Sequence, residues 1–222
     1  MTSPGPGTAA TRIRMPRAQR EEQILTVAEQ VFAERGYSAT TMEDIADQVG
    51  VTKPLIYGYF GSKEGLLSAA VTRARVQLRE ATEAAWQAVG EDAPPGEVFR
   101  AGVRAFFDFI DEHAHAFVLI QQEGAMASQA SGLIESIREQ QSAATVRTLR
   151  KTPGLSAVPE DVLEGYAEVI IGACERVAVW RTRRPGVSAE DATELVVASV
   201  WSGLASLLPT GGAHPLTPRW SS

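Results

Sequence analysis

The sequence is poor in the residues that build disulfide frameworks and metal centres. Its 222 residues include one cysteine, Cys174, and three histidines. A single cysteine excludes an internal disulfide. His113 and His115 stand two positions apart, so on a helix their side chains would point about 200° away from each other, and no cysteine cluster completes a zinc-type site. We therefore expect no disulfide, no metal and no cofactor.

Long apolar runs are also missing. The most apolar late stretch, residues 195–208, is 14 residues long and contains three serines and a glycine, whereas a membrane-spanning helix needs about 20 apolar residues. The segment before residue 20 lacks the apolar centre of a secretory signal, and residues 1–16 are expected to form a flexible arm. We expect a cytoplasmic protein with no membrane partner.

The motifs of common enzyme classes are absent as well. The chain has no Gly-x-Ser-x-Gly elbow, no phosphate-binding Gly-Lys-Ser/Thr loop and no dinucleotide fingerprint. No stretch alternates apolar and polar residues as a half-buried strand would. These absences favour an all-α protein that is not an enzyme.

Acidic residues exceed basic ones, but only in one part of the chain. The net charge is −6, yet residues 1–63 hold seven cations and seven acids, so the excess of acids lies beyond residue 63. Salt screens charges over about 8 to 10 Å, and a local basic surface can therefore still bind phosphates. The best basic run comprises Arg12, Arg14, Arg17 and Arg20.

Three short helices are predicted in the first third of the chain. A helix from Arg17 ends at Gly36, and Thr40 begins a Thr-x-x-Glu capping box for a second helix that ends at Gly50. Thr52 and Pro54 suit the first turn of a third helix. A helix, a three-residue turn with glycine and a further helix form a helix-turn-helix.

The third helix carries three aromatic rings in its last four residues. Ile56 and Phe60, four positions apart, are predicted to face the other two helices. Tyr57, and with it Tyr59, is then left to face solvent or DNA. A phenol hydroxyl can donate to a phosphate oxygen, and Lys53 adds cationic attraction at the start of the helix.

This region resembles the DNA-binding segment of the tetracycline-repressor-like (TetR) family. The similarity covers residues 20–32 and continues through FAERGYSATTMEDIADQVGVTKPLIYGYFGSKEGLL, about a fifth of the chain. Gly58 departs from the family, which often has a larger residue there. The resemblance implies a double-stranded DNA operator as partner and DNA contacts from Thr40, Thr41, Thr52, Lys53, Pro54, Tyr57, Tyr59 and Lys63.

The rest of the chain is predicted to be helical too. Ser62 can cap a long helix that ends at Gly90, followed by helices over residues 98–110, 113–127, 133–149, 160–181 and 189–208. We expect a three-helix helix-turn-helix DNA-binding domain over residues 17–64. A C-terminal helical ligand-binding and dimerisation domain is expected over residues 65–210, with a tail over 211–222.

The last two helices have apolar residues on more than one face. Small residues would let helices approach closely, and these are Gly172, Ala173, Ala198, Ser199, Gly203 and Ala205. We expect them to pair with a second copy in a four-helix interface; full burial inside one subunit is the alternative. The TetR resemblance also implies a homodimer, with recognition helices about 34 to 36 Å apart.

The middle helices are rich in aromatic residues that could enclose a small-molecule effector. Such rings are as consistent with a plain core as with a pocket. The candidate ligand-binding residues are Trp86, Phe106, Phe109, Phe117, Gln121, Glu123, Met126, Glu175 and Trp180.

Together these features predict a DNA-binding transcriptional regulator, a repressor released from its operator by an unidentified small molecule. The long helix after Ser62 would carry the coupling between the two sites. The alternative is a helical ligand-binding or catalytic protein whose helix-turn-helix has a structural role only.

Overall fold

The structure is a computed structural model that describes residues 15–90, 92–122, 127–152, 154–205 and 208, apart from the side chains of 122 and 127–137. Within these residues the chain forms nine α-helices and no strand, as the all-α prediction requires. The helices are α1 (Arg17–Arg35), α2 (Met42–Val49), α3 (Lys53–Phe60), α4 (Lys63–Val89), α5 (Pro95–Glu112), α6 (Ala114–Gln122), α7 (Ala127–Lys151), α8 (Glu160–Arg181) and α9 (Ala189–Ala205).

Helices α1 to α3 pack around a small core with the start of α4. Phe32, Ile45 and Ile56, one from each of the three helices, are fully buried there. Gly50 adopts the left-handed conformation (φ 76°, ψ 39°) and donates its N–H to the Ala46 and Asp47 carbonyls. A residue without a Cβ tolerates this conformation, so α2 ends in the tight turn that the sequence predicts.

The cap of α2 differs from the prediction by one residue. Thr41, not Thr40, is the N-cap, and its partner in the capping box is Asp44 rather than Glu43. The Thr41 hydroxyl accepts from the Asp44 N–H at 3.1 Å, and the Asp44 carboxylate accepts from the Thr41 N–H at 2.8 Å. The sequence has two neighbouring threonines and two neighbouring acids, so either Thr40 with Glu43 or Thr41 with Asp44 could form the capping box. Because Thr40 is buried, Thr41 and Asp44 form it.

The 27-residue helix α4 belongs to both halves of the molecule. Its first turns contribute Leu66 and Val71 to the core around α1 to α3, and its later turns contribute Ala74 and Leu78 to the second core. Ser62 caps it by accepting from the Gly65 N–H at 3.0 Å, as predicted. One continuous helix thus connects the two cores.

Helices α5 to α9 and the later part of α4 enclose the second core. Residues Phe107, Leu163 and Leu204, from α5, α8 and α9, are among its fully buried members. Helix α8 has the predicted bounds. Helices α5 and α7 begin earlier than predicted. The described part of α9 extends to Ala205, and Leu208, the predicted last residue, is not helical.

Helix α6 also reaches the first core, which the sequence did not indicate. Leu119 is fully buried among residues of α1 to α4 rather than in the second core. Among the described helices, none has both the length and the apolar character needed to cross a membrane.

Candidate nucleic-acid interface

The turn before α3 presents the start of that helix to solvent. Thr52, Lys53 and Pro54 are all exposed, while Ile56 on the opposite side is fully buried. Thr52 has the extended backbone of an N-cap, but its hydroxyl makes no capping hydrogen bond. That hydroxyl remains available to a phosphate oxygen, together with the positive end of the helix.

Lys53 is paired with an acid on the preceding helix. Its Nζ lies 3.1 Å from Glu43 Oε2, and both side chains are largely exposed. The hydrogen bond to Glu43 raises the pKa of Lys53. Exposed pairs of this kind contribute little to stability, so a DNA phosphate can replace Glu43 at little cost.

The two tyrosines of α3 have different surroundings. Tyr57 is 42% exposed, whereas Tyr59 is half-buried against the first core. The Arg17 guanidinium lies over the Tyr59 ring, 4.9 Å from its centroid. Tyr57 is therefore free to contact DNA, and Tyr59 holds an arginine of α1 at the same end of the domain.

The two threonines before α2 are not equally available. Thr40 is 1% exposed, and its hydroxyl donates to the Gly36 carbonyl at 2.8 Å. A side chain buried in this way cannot reach a phosphate, and Thr40 is removed from the expected DNA contacts. Thr41 is exposed, although its hydroxyl already pairs with Asp44 at 2.6 Å.

Lys63 lies at the start of α4, with its Nζ 4.2 Å from the centroid of the Tyr37 ring. The Tyr37 hydroxyl donates to Glu64, and burial together with this carboxylate raises the pKa of Tyr37 to about 12. Tyr37 thereby ties the loop after α1 to the first turn of α4. Tyr37 was not among the predicted site residues, and Arg17 was predicted only as part of the basic run and not as a partner of Tyr59.

The arginines of the arm, Arg12 and Arg14, lie outside the described residues. Their contribution to a basic, phosphate-binding surface remains a prediction.

A second candidate site is a cavity inside the other half of the molecule. It lies between α4, α5, α7, α8 and α9 and holds about 850 Å³ of space not filled by atoms, its opening to solvent included. Aliphatic and aromatic side chains form most of its wall, among them Leu78, Phe99, Val103, Ile170 and Trp201.

Only some of the candidate ligand-binding residues line this cavity. Trp86 and Phe106 line it. Phe109 stacks on His113 at 4.4 Å, and Phe117 packs edge-on against Phe106. The remaining candidates do not line the cavity or cannot be placed: Gln121 and Trp180 are exposed, Glu175 lies 3.8 Å from Arg75, and Glu123 and Met126 fall outside the described residues.

Sequence reasoning missed the polar residues of the wall. Thr145 and Thr148 of α7, Thr152 directly after that helix and Thr82 of α4 line the cavity, together with Gln141. Thr145, Thr148 and Thr152 follow one another at spacings of three and four, which is the spacing of one helix face. This spacing is the signal that could have identified them.

Cys174 also contributes to the cavity wall. Burial, and secondarily the neighbouring Glu175, raises the pKa of Cys174 to about 12. The thiol is protonated at neutral pH and serves as an apolar surface.

Comparisons with known proteins identify the class of protein. A family model described as bacterial regulatory proteins of the tetR family matches residues 24–70. A second, described as the C-terminal domain of tetracyclin repressor-like proteins, matches residues 95–203. The chain belongs to the tetR family and is a DNA-binding regulator of transcription.

Individual relatives agree with this assignment. The transcriptional activator FasR of Mycolicibacterium smegmatis is 28% identical over 192 residues, which cover 86% of this chain and 85% of FasR. The repressor KstR2 of Mycobacterium tuberculosis is 37% identical over 112 residues, half of this chain and 54% of KstR2. The crystal structure of a TetR-like regulator from Rhodococcus sp. RHA1 superimposes with a TM-score of 0.67 at 30% identity, covering 86% of this chain and 99% of that one.

Proposed function

We propose that the protein is a homodimeric cytoplasmic repressor that leaves its operator when a small molecule occupies the cavity between α4, α5 and α7. The observation that carries the DNA-binding part is the exposed start of α3. Lys53, Thr52 and Tyr57 face solvent there while Ile56 anchors the helix to α1 and α2. These side chains and the helix N-terminus suit a duplex backbone, and Tyr57 is long enough to reach a base edge.

The surface of α8 and α9 supports the dimer. Val169 is 55% exposed and Leu195 is 46% exposed, and the small residues Gly172, Ala198 and Ser199 are exposed on the same two helices. Apolar and small residues exposed together on two neighbouring helices are typical of an interface between subunits. Pairing these helices with their copies would bury it and place two α3 helices on one face of the dimer.

The connection between cavity and DNA supports release by a ligand. Leu78 on α4 lines the cavity, and the first turns of the same helix form part of the core that holds α3. A molecule that prefers a tilted α4 would change the distance between the two α3 helices. Couplings of this kind amount to about 1 to 3 kcal/mol.

The direction of regulation, repression rather than activation, has its own test. The relatives named above include an activator and a repressor. In vitro transcription from the protein's own promoter separates the two outcomes, because a repressor lowers transcript yield and an added effector restores it.

The DNA-binding surface is tested by replacing Lys53 and Tyr57 with alanine. We expect the double variant to bind a footprinted promoter fragment about tenfold or more weakly, because each residue supplies a phosphate or base contact of about 1 kcal/mol. Fluorescence anisotropy at fixed salt measures the affinity. The control is Arg183→Ala, which removes an exposed cation from the loop between α8 and α9. Unchanged affinity of the double variant would overturn the proposed surface.

A further inference from the structure

The cavity continues into a second, more polar space at its outer end. That space lies between the ends of α4 and α7 and includes Gly90 and Ala93 of the following loop. The two spaces share the wall residues Trp86, Val98, Ala144, Thr148 and Thr152. A molecule inside the apolar cavity can therefore extend through this neck to the surface.

Most polar side chains of the inner wall are already paired within the protein. Arg79 is paired with Glu83, and the hydroxyls of Thr82, Thr145, Thr148 and Thr152 donate to backbone carbonyls three or four residues earlier, at 2.8 to 3.3 Å. Gln141 accepts from the buried Arg75 at 2.5 Å. A charged group placed among the apolar side chains of this wall would lose its water and gain few new partners, which is costly.

The outer space, unlike the apolar cavity, is bordered by charged side chains. Arg147 and Lys151, one helical turn apart on α7, border it. Neither forms a side-chain hydrogen bond or ion pair with any residue in the described part of the chain. The acid that borders the same space, Glu83, is already paired with Arg79 at 3.0 Å. The rim therefore carries two cations whose charge is not balanced locally.

We propose that the effector has an elongated apolar body and an anionic end group, with the body in the cavity and the anion at Arg147 and Lys151. This assignment deepens the proposed function and rests on it. An apolar body matches the aliphatic and aromatic wall, and burying it supplies most of the affinity. The two cations, four residues apart on one helix face, select a carboxylate or a phosphate over a neutral or cationic end.

Binding without DNA tests the assignment directly. Decanoate, decyl phosphate and decanol share one apolar body and differ in the end group, and each is titrated into the full chain by calorimetry below its micelle concentration. We expect the anions to bind about tenfold more tightly than the alcohol, a difference of about 1.4 kcal/mol, since each exposed ion pair contributes only modestly. The carboxylate and phosphate arms show which of the two anions the rim prefers. Equal binding of all three probes would overturn the proposal, as would binding of none.

Removing the positive charges of the rim one at a time tests where the anionic end group binds. Arg147→Gln and Lys151→Gln should each weaken decanoate about two- to fivefold and leave decanol unchanged. The matched control is Arg183→Gln, which removes an exposed cation far along the chain from this rim and should alter neither. Equal loss of decanoate affinity in the control would mean that net charge, and not the rim, attracts the anion.

The position of the apolar body has its own readout. Trp86 and Trp201 both line the cavity, so a bromine-labelled alkyl carboxylate should quench their fluorescence, and Trp86→Phe should reduce that quenching. Quenching that neither Trp86→Phe nor Trp201→Phe reduces would place the alkyl chain elsewhere and overturn the assignment. These measurements involve no DNA. A chain that binds decanoate but no operator would contradict the proposed function alone, and one that binds its operator but no anionic amphiphile would contradict this assignment alone.

Discussion

Thr40 and Thr41 are neighbours in the sequence and have different physical roles. Thr40 is buried and ties the loop after α1 to the Gly36 carbonyl. Thr41 is exposed and closes the first turn of α2 through Asp44. The Thr41 hydroxyl, then its N–H, and also the Arg35 guanidinium, lower the pKa of Asp44. The cap therefore requires an ionised carboxylate.

Replacing Thr41 with valine should destabilise the chain by about 1 kcal/mol at about pH 7, the usual loss for an N-cap. The effect should depend on pH. A carboxylate whose folded pKa is lowered stabilises the fold above its unfolded pKa, and this stabilisation disappears as the pH falls through the folded pKa. The difference between wild type and Thr41→Val in urea unfolding should accordingly shrink below about pH 4.

The control for this prediction is Thr72→Val. Thr72 lies within α4 and donates to the Ser68 carbonyl of its own helix, so it caps no helix and touches no carboxylate. Its replacement should change the free energy of unfolding by only about 0.5 kcal/mol, equally at both pH values. A pH-independent loss in Thr41→Val would show that the cap does not depend on the charge of Asp44.

At the scale of single elements, α4 is fixed to α1 by one arginine. Arg73 is 15% exposed and reaches Glu22 at 2.6 Å, Glu29 at 2.9 Å and the Thr26 hydroxyl at 2.9 Å. Its Nε is buried and has no hydrogen-bond partner in the described part of the chain. The apolar contacts of α1 and α4 hold the two helices together, and Arg73 fixes how they are aligned.

Replacing Arg73 with methionine should cost about 2 kcal/mol, because Glu29 is 9% exposed and would be left without its partner. The double variant Arg73→Met/Glu29→Gln removes the unpaired charge and should recover part of that loss. Urea unfolding of the two variants and of Glu29→Gln completes a double-mutant cycle. A double variant that is no more stable than Arg73→Met would mean that lost packing, and not the unpaired carboxylate, causes the destabilisation.

The sequence was sufficient to predict most elements but not their contacts across the chain. Ser62, Gly50 and the bounds of α8 follow from local rules of capping and periodicity, and the structure confirms them. The burial of Leu119 in the first core depends on how α6 packs against α1, which no local pattern encodes. The cavity wall was largely missed for the same reason: an aromatic residue looks alike in sequence whether it fills a core, as Phe117 does, or lines a space, as Trp86 does.

At the scale of the whole molecule, the DNA-binding surface and the cavity lie at opposite parts of one continuous helix, α4. Two-fold pairing of subunits would allow a ligand in the cavity to control DNA binding. A single α3 helix offers few contacts to DNA. In the proposed dimer, two of them at a fixed spacing would bind one operator, and a change in α4 would alter the spacing. On this proposal the apolar surface of α8 and α9 is as important for regulation as the cavity.

Placing a charge on that surface should separate the subunits. Leu195 is 46% exposed on α9, and glutamate there would be buried without a partner in a dimer, at a cost of about 2 kcal/mol or more for each copy. With two copies per dimer, we expect Leu195→Glu to raise the dimer dissociation constant roughly 1,000-fold, measured by sedimentation equilibrium, and to weaken operator binding with it. Val76→Glu is the matched control, because Val76 is a similarly exposed valine on α4. If Leu195→Glu remains as dimeric as this control, the subunits pair through another surface, and a wild-type chain that sediments as a monomer would remove the physical basis of the switch.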